Sequence, residues 1–247
     1  MNAITNAVTV TLVKTGESYH SLKDWGLIIC NNDYLQEPEL ESYYVQVPGR
    51  PGKLDYTEAL TGRPVYSTRS IRIIFGGVRE RREWDIVISE YRNLLHGNLV
   101  KLVFDNDPGY FWQGRATIEE FDRTQRMGTF ALVIRDADPY KYSVLDAGSD
   151  WLWDTFSFLD GVIDDGENLT FAEQFSFTIS EIGMPFVPVI EVKQISSDVL
   201  TMTANGKTYT LRTGENRFPD LIVDKNDVVL QFKGNAILSV KYRRRML

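Results

Sequence analysis

Few residues in this chain are of the types that do chemistry. There are two histidines, His20 and His96, and one cysteine, Cys30. A Ser-His-Asp or Cys-His arrangement would have to be built on one of these. No HxH, HExxH or CxxC spacing occurs, so no structural zinc site is expected. No GxSxG elbow is present. Neither GxGxxG nor GxxxxGK followed by Ser or Thr offers a cradle for phosphate. Cys30 ends the apolar run Leu27–Cys30 and reads as buried packing rather than a nucleophile. His96 falls at an expected helix end, where the dipole favours positive charge. The best acidic cluster runs from Asp160 to Asn168. Paired carboxylates such as Asp164 and Asp165 could serve a hydrolase. Their spacing fails the calcium-loop pattern, so the segment reads as a polar turn, with weak Ca²⁺ binding left open. The reading assigns no catalytic residue, no metal ligand and no cofactor, and the chain is not expected to be an enzyme.

Composition narrows the classes further. The 247 residues are long enough for a sizeable core, and 43% hydrophobic with 25% charged residues is ordinary for a folded globular protein. With one cysteine no intrachain disulfide can form, which fits a reducing compartment. The first residues alternate rather than forming a signal peptide, and no apolar run approaches the ~18 residues of a membrane span. Neither secretion by its own signal nor membrane insertion is expected. The net charge of −7 is uneven: residues 142–192 hold 10 Asp and Glu and no Lys or Arg. That block could pair with a basic surface or simply be a solvated face. The only basic run, Lys241 to Arg245, could dock against it. An acidic chain without a basic stripe is not expected to bind nucleic acid specifically.

The elements that would position any site are mostly strands. Alternation marks Val8–Val13, Tyr43–Val47, Ile71–Phe75, Leu99–Phe104 and Thr129–Arg135. Pro48 to Lys53 is a turn or loop tip, and Leu54–Thr57 returns as the second arm of a hairpin. Gly76-Gly77 is expected to end one strand, and Tyr110–Phe121 to form one long strand with an irregularity at Gly114. A single helix is predicted near residues 80–96, with Trp84, Val87, Ile88, Tyr91 and Leu95 on one stripe that must pack on a sheet. After residue 142 comes an aromatic, acidic stretch with Trp151 and Trp153, then short strands and tight turns. Asn205-Gly206 is the strongest hairpin signal. Val228–Phe232 is expected to pair with Leu238–Tyr242. The fold class is mainly β, a first domain with one packed helix over residues 1–141 and a second β-sandwich domain over 142–247.

One stretch carries a family signature. Val47-Pro48-Gly49, Gly52-Lys53-Leu54-Asp55-Tyr56, and Leu60-Thr61-Gly62-Arg63 through Tyr66 to Arg69 resemble a segment of the siphophage distal tail proteins (Dit). Later features agree in order: Leu94 to Gly97, Asp105 to Arg115, Asp138-Pro139-Tyr140-Lys141-Tyr142, and Gly234 to Leu247. Residues 143–185 contribute little. The resemblance implies a ring-forming N-terminal β domain and a galectin-like C-terminal β-sandwich. It implies a homo-hexamer at the distal end of the phage tail, made in the host cytoplasm. Its partners would be the tail tube protein, a tail-associated hub protein, and receptor-binding or baseplate proteins. Tyr44, Tyr56, Arg63, Tyr66 and Arg69 are the candidates for the ring contact or its support. The alternative is a carbohydrate-binding module in which Trp151 or Trp153 stacks on sugar.

Overall fold

The computed structural model describes residues 6–144, 166–180, 183–224 and 226–247. Trp151, Trp153 and the acidic cluster at 160–165 lie outside these residues. The chain divides into two compact units, one of Met1–Asp107 with Phe111–Pro139 and one of Pro108–Tyr110 with Tyr140–Leu247.

Unit 1 contains β1 (Val8–Leu12), β2 (Ser18–His20), β3 (Ile28–Ile29), β4 (Tyr44–Gln46), β5 (Lys53–Asp55), β6 (Arg69–Val78), α1 (Arg81–Leu95), β7 (Leu99–Phe104), β8 (Tyr110–Arg115), β9 (Thr117–Arg123) and β10 (Met127–Ala137). One sheet has the order β2-β1-β7-β8, and the other β3-β6-β10-β9. Alternation places Val8, Val10 and Leu12 on the same buried cluster as Ile71, Ile73, Phe75, Phe130, Leu132 and Ile134. The helix lays Trp84, Ile88, Tyr91 and Leu95 onto that cluster, as its stripe requires.

Trp84 shows which force wins there. Its side chain is fully buried, and its indole N–H has no hydrogen-bond partner. An orphaned donor costs about 1–3 kcal/mol. Burying about 200 Å² of aromatic surface contributes about 5 kcal/mol, so packing prevails. The ring fits because Gly128 lies beneath it. A Cβ there would stand 2.4 Å from Trp84 Cε2, closer than atoms approach.

Two expectations about strands fail in this unit. β6 does not stop at Gly76-Gly77 but runs through to Val78, because both residues keep their places in the ladder with β10. The stretch 110–121 is not one strand. It breaks at Ala116, with β8 in one sheet and β9 in the other. A chain that must supply strands to two facing sheets has to turn between them.

Unit 2 holds β11 (Lys141–Ser143), β12 (Leu169–Phe171), β13 (Gln174–Ile179), β14 (Val189–Ile195), β15 (Leu200–Ala204), β16 (Lys207–Leu211), β17 (Gly214–Arg217), β18 (Val228–Lys233), β19 (Ala236–Lys241) and β20 (Arg245–Met246). Two four-stranded sheets, β12-β19-β14-β17 and β13-β18-β15-β16, share one core. The architecture is therefore mainly β, with one helix among the described residues. Asn205 and Gly206 both have positive φ, 49° and 75°, which the two-residue turn between β15 and β16 needs. β18 and β19 do not pair with each other as expected. β18 pairs with β13 and β15, and β19 with β12 and β14. Their like alternation instead places Leu230, Phe232, Leu238 and Val240 in one core from opposite sheets.

Candidate functional site

The residues suited to chemistry are engaged in holding backbone. His20 Nδ1 accepts the backbone N–H groups of Leu22 and Lys23, both at 3.2 Å. That leaves Nε2 to donate to Asp105, 3.2 Å from Oδ1. The usual triad geometry is absent, since Nδ1 faces a turn and Nε2 the carboxylate. His96 Nδ1 accepts from the Ile118 N–H at 3.2 Å and ties the helix end to β9. Cys30 is exposed, contrary to the expectation of buried packing. It lies just beyond β3 on the outer side of its sheet. Among the described residues no three His, Cys, Asp or Glu side chains converge as a metal site, and no helix is long and apolar enough to cross a membrane.

The basic run near the C-terminus is docked within unit 2. The Arg243 guanidinium donates to the carbonyls of Ser143 and Val144 at 2.7 and 2.8 Å. Lys241 lies 2.8 Å from Glu191, and its hydrogen bond holds the Glu191 carboxyl below its ordinary value.

The feature that stands apart is an arm formed by residues 35–71. Its ladder begins beside β6, where Leu35 bridges Ile71 and the Gln36 N–H donates to Ser70. It continues through Ser67 to Glu39, Leu40 opposite Tyr66, and Glu41 to Val65. At the end β4 pairs with β5, Tyr44 with Asp55, Val45 with Leu54 and Gln46 with Lys53. These two strands join no other sheet. Positive φ at Gly49 and Gly52 closes the tip. Thr57, side chain first and then backbone N–H, hydrogen-bonds Asp55 and lowers its pKa.

Register sorts the arm's side chains onto two faces. Tyr44, Gln46, Lys53 and Asp55 form a polar face. Tyr43, Val45, Val47, Leu54 and Tyr56 form an apolar one. Tyr43 is 65% and Tyr56 45% exposed, and none of the five belongs to either buried core cluster.

The five sequence candidates are thus spread along the arm. Tyr44 and Tyr56 are both exposed near its end but on opposite faces. Arg63 and Tyr66 are half-buried toward its base. Arg69 is 4% exposed at the start of β6, with its guanidinium 4.3 Å from the Trp112 ring centre. Glu37 lies 4.0 Å away, and Arg69 Nε and Nη2 have no hydrogen-bond partner. Burial pushes its pKa below the ordinary arginine value, opposed by Glu37 and Asp138. Tyr43, Val45, Val47 and Leu54 were not among the candidates. The alternation that marked the strand already assigned them to one face.

No protein-family model matches the chain, and no curated protein matches it. Among solved structures it is similar to the Dit protein (gp 19.1) of SPP1, described as a paradigm of the hub adsorption apparatus in phages that infect Gram-positive bacteria. The two superpose with a TM-score of 0.60 over 97% of this chain and 99% of that one, at 13% identity. The chain has a Dit-like fold. At this identity the likeness concerns architecture, and it extends along almost the whole length, so the Dit-like fold takes in both units.

Proposed function

We propose that this chain is a structural phage-tail protein, a hub-ring subunit that joins the tail tube to the host-adhesion apparatus. The observation that carries this is the Dit-like fold over 97% of the chain. In this reading six copies close a ring through unit 1 at the distal end of the tail. Unit 2 is the galectin-like sandwich and faces the adhesion proteins. The partners are the tail tube protein, a tail-associated hub protein, and receptor-binding or baseplate proteins. The engagement of both imidazoles with backbone favours a structural role over a catalytic one.

Size-exclusion chromatography with light scattering tests the reading. Six copies of the 28.3 kDa chain give about 170 kDa. Negative-stain images should show rings with a central hole. A chain that is monomeric alone and with the tail tube protein, yet binds glycans on an array, would replace this reading with the carbohydrate-binding one.

A further inference from the structure

Strands that end a sheet are guarded in this protein, with one exception. Among the described residues, β2, β3, β4, β5, β12 and β20 have only two or three residues each. β9 carries Glu119, Glu120, Asp122 and Arg123, and its register breaks opposite β10. β17 carries Glu215 and Arg217, and β16 opens on Lys207. Shortness, charge and bulges keep an edge from pairing with another chain. β13 has none of them. Its 6 residues, Gln174 to Ile179, are uncharged, include no proline and keep an unbroken register with β18.

Hydrogen bonding identifies the open groups. The Gly234 N–H donates to the Glu173 carbonyl, while the Gln174 N–H turns back to Ala172. Pairing groups alternate along an antiparallel strand, so Ser176 and Thr178 point their N–H and C=O away from β18. No strand among the described residues lies on that side. The side chains alternate as well. Ser176 and Thr178 are exposed on the outer face, and Phe175 and Phe177 are half-buried against the core. Phe175 stacks on half-buried Phe171 with ring centres 5.3 Å apart. This side of the sandwich is therefore closed by aromatic rings that stay partly in water.

The strand also matches itself. Laid antiparallel on a second copy and centred on Ser176, it sets Phe175 against Phe177 twice and Gln174 against Thr178 twice. Every pair joins like with like, apolar on the core side and polar on the outer side. The strand adds no charge repulsion, although each chain has a net charge of −7.

We infer that β13 pairs with β13 of a second copy, joining two unit 2 sandwiches edge to edge about a two-fold axis. The contact goes beyond the ring reading and does not depend on it. A ring uses two different faces, whereas this contact uses the same edge twice. One strand pair buries less surface than a permanent dimer needs, so the pairing is reversible and depends on concentration.

Disulfide trapping on the full-length chain tests it, in a Cys30→Ser background that removes the native thiol. Ser176→Cys lies opposite itself across the axis, with Cα atoms about 5.5 Å apart and within disulfide reach. Mild oxidation should give a covalent dimer. Thr208→Cys, on the other edge of the same sheet, should give about tenfold less product, because thiol exchange follows access. Thr178→Pro removes an outward N–H and leaves the bonds to β18 in place. It should lower the Ser176→Cys product about tenfold with an unchanged circular dichroism spectrum. In the wild-type chain the Ser176 and Thr178 amides should exchange freely in dilute solution and gain protection as concentration rises. Equal product from Ser176→Cys and Thr208→Cys overturns the pairing. Protection at every concentration also overturns it, since the edge is then covered within its own chain. Protection that appears only on adding another tail protein assigns the edge to that protein and overturns the pairing too. Rings that form without the cross-link overturn this contact and leave the ring reading standing. A cross-link in a chain that forms no ring, alone or with the tail tube protein, does the reverse.

Discussion

Two antiparallel ladders in unit 1 share an alternating pattern and end in opposite situations. β6–β10 turns Ile71, Ile73, Phe75, Phe130, Leu132 and Ile134 onto a closed core. The arm's Tyr43, Val45, Leu54 and Tyr56 join neither buried core cluster, with Tyr43 and Tyr56 exposed and Val45 and Leu54 half-buried. An apolar face is therefore a demand for a cover, and the cover need not come from the same chain. A buried face should report through folding stability, an uncovered one through assembly.

That contrast is sharpest at Trp84. Trp84→Ala should destabilise the protein by about 3–5 kcal/mol, read as a lower urea midpoint. A loss below about 1 kcal/mol would mean that the helix is not fastened by its stripe. Gly128→Ala pushes a methyl group into the same ring and should cost about 1–3 kcal/mol.

Arg69 lies where the arm meets the core and separates two roles for a buried cation. The Glu37 carboxylate is 4.0 Å away and two of the Arg69 nitrogens lack partners. Arg69→Met keeps the bulk over Trp112 and removes the desolvated charge. Stability should stay within about 1 kcal/mol of wild type or rise. A larger loss would make the guanidinium itself a structural clamp.

On the arm the same experiments should show almost nothing. Val45→Asp should move the unfolding midpoint of the monomer by less than about 0.5 kcal/mol, while assembly changes. A large shift would show that the arm's apolar face is part of the folded core.

The smallest effect concerns Asp55. Its carboxyl is held below the ordinary value of about 3.9 by Thr57. A depressed carboxyl contributes stability above its unfolded pKa and loses it as pH falls through the folded one. Protection of the Thr57 amide, relative to its free exchange rate at each pH, should fall only in that acid range. In Asp55→Asn it should be low already at neutral pH. Equal protection in both proteins would assign the turn to the backbone ladder alone.

The sequence by itself determined what depends on near neighbours. Helical spacing placed α1, because Trp84, Ile88, Tyr91 and Leu95 share a face at 3.6 residues per turn. Asn205-Gly206 placed a hairpin, because both positions need positive φ. Alternation marked the β4 and β5 strands and the residues that share each of their faces. The tertiary structure decided what depends on distant partners. It sent β18 and β19 to different sheets, split 110–121 between two sheets, and left Cys30 outside. It also buried Arg69 and left Tyr43 exposed. Alternation reports that one side of a strand is apolar, a local property. Which strand lies beside it, and what covers that side, depends on residues far away in the chain or on another molecule.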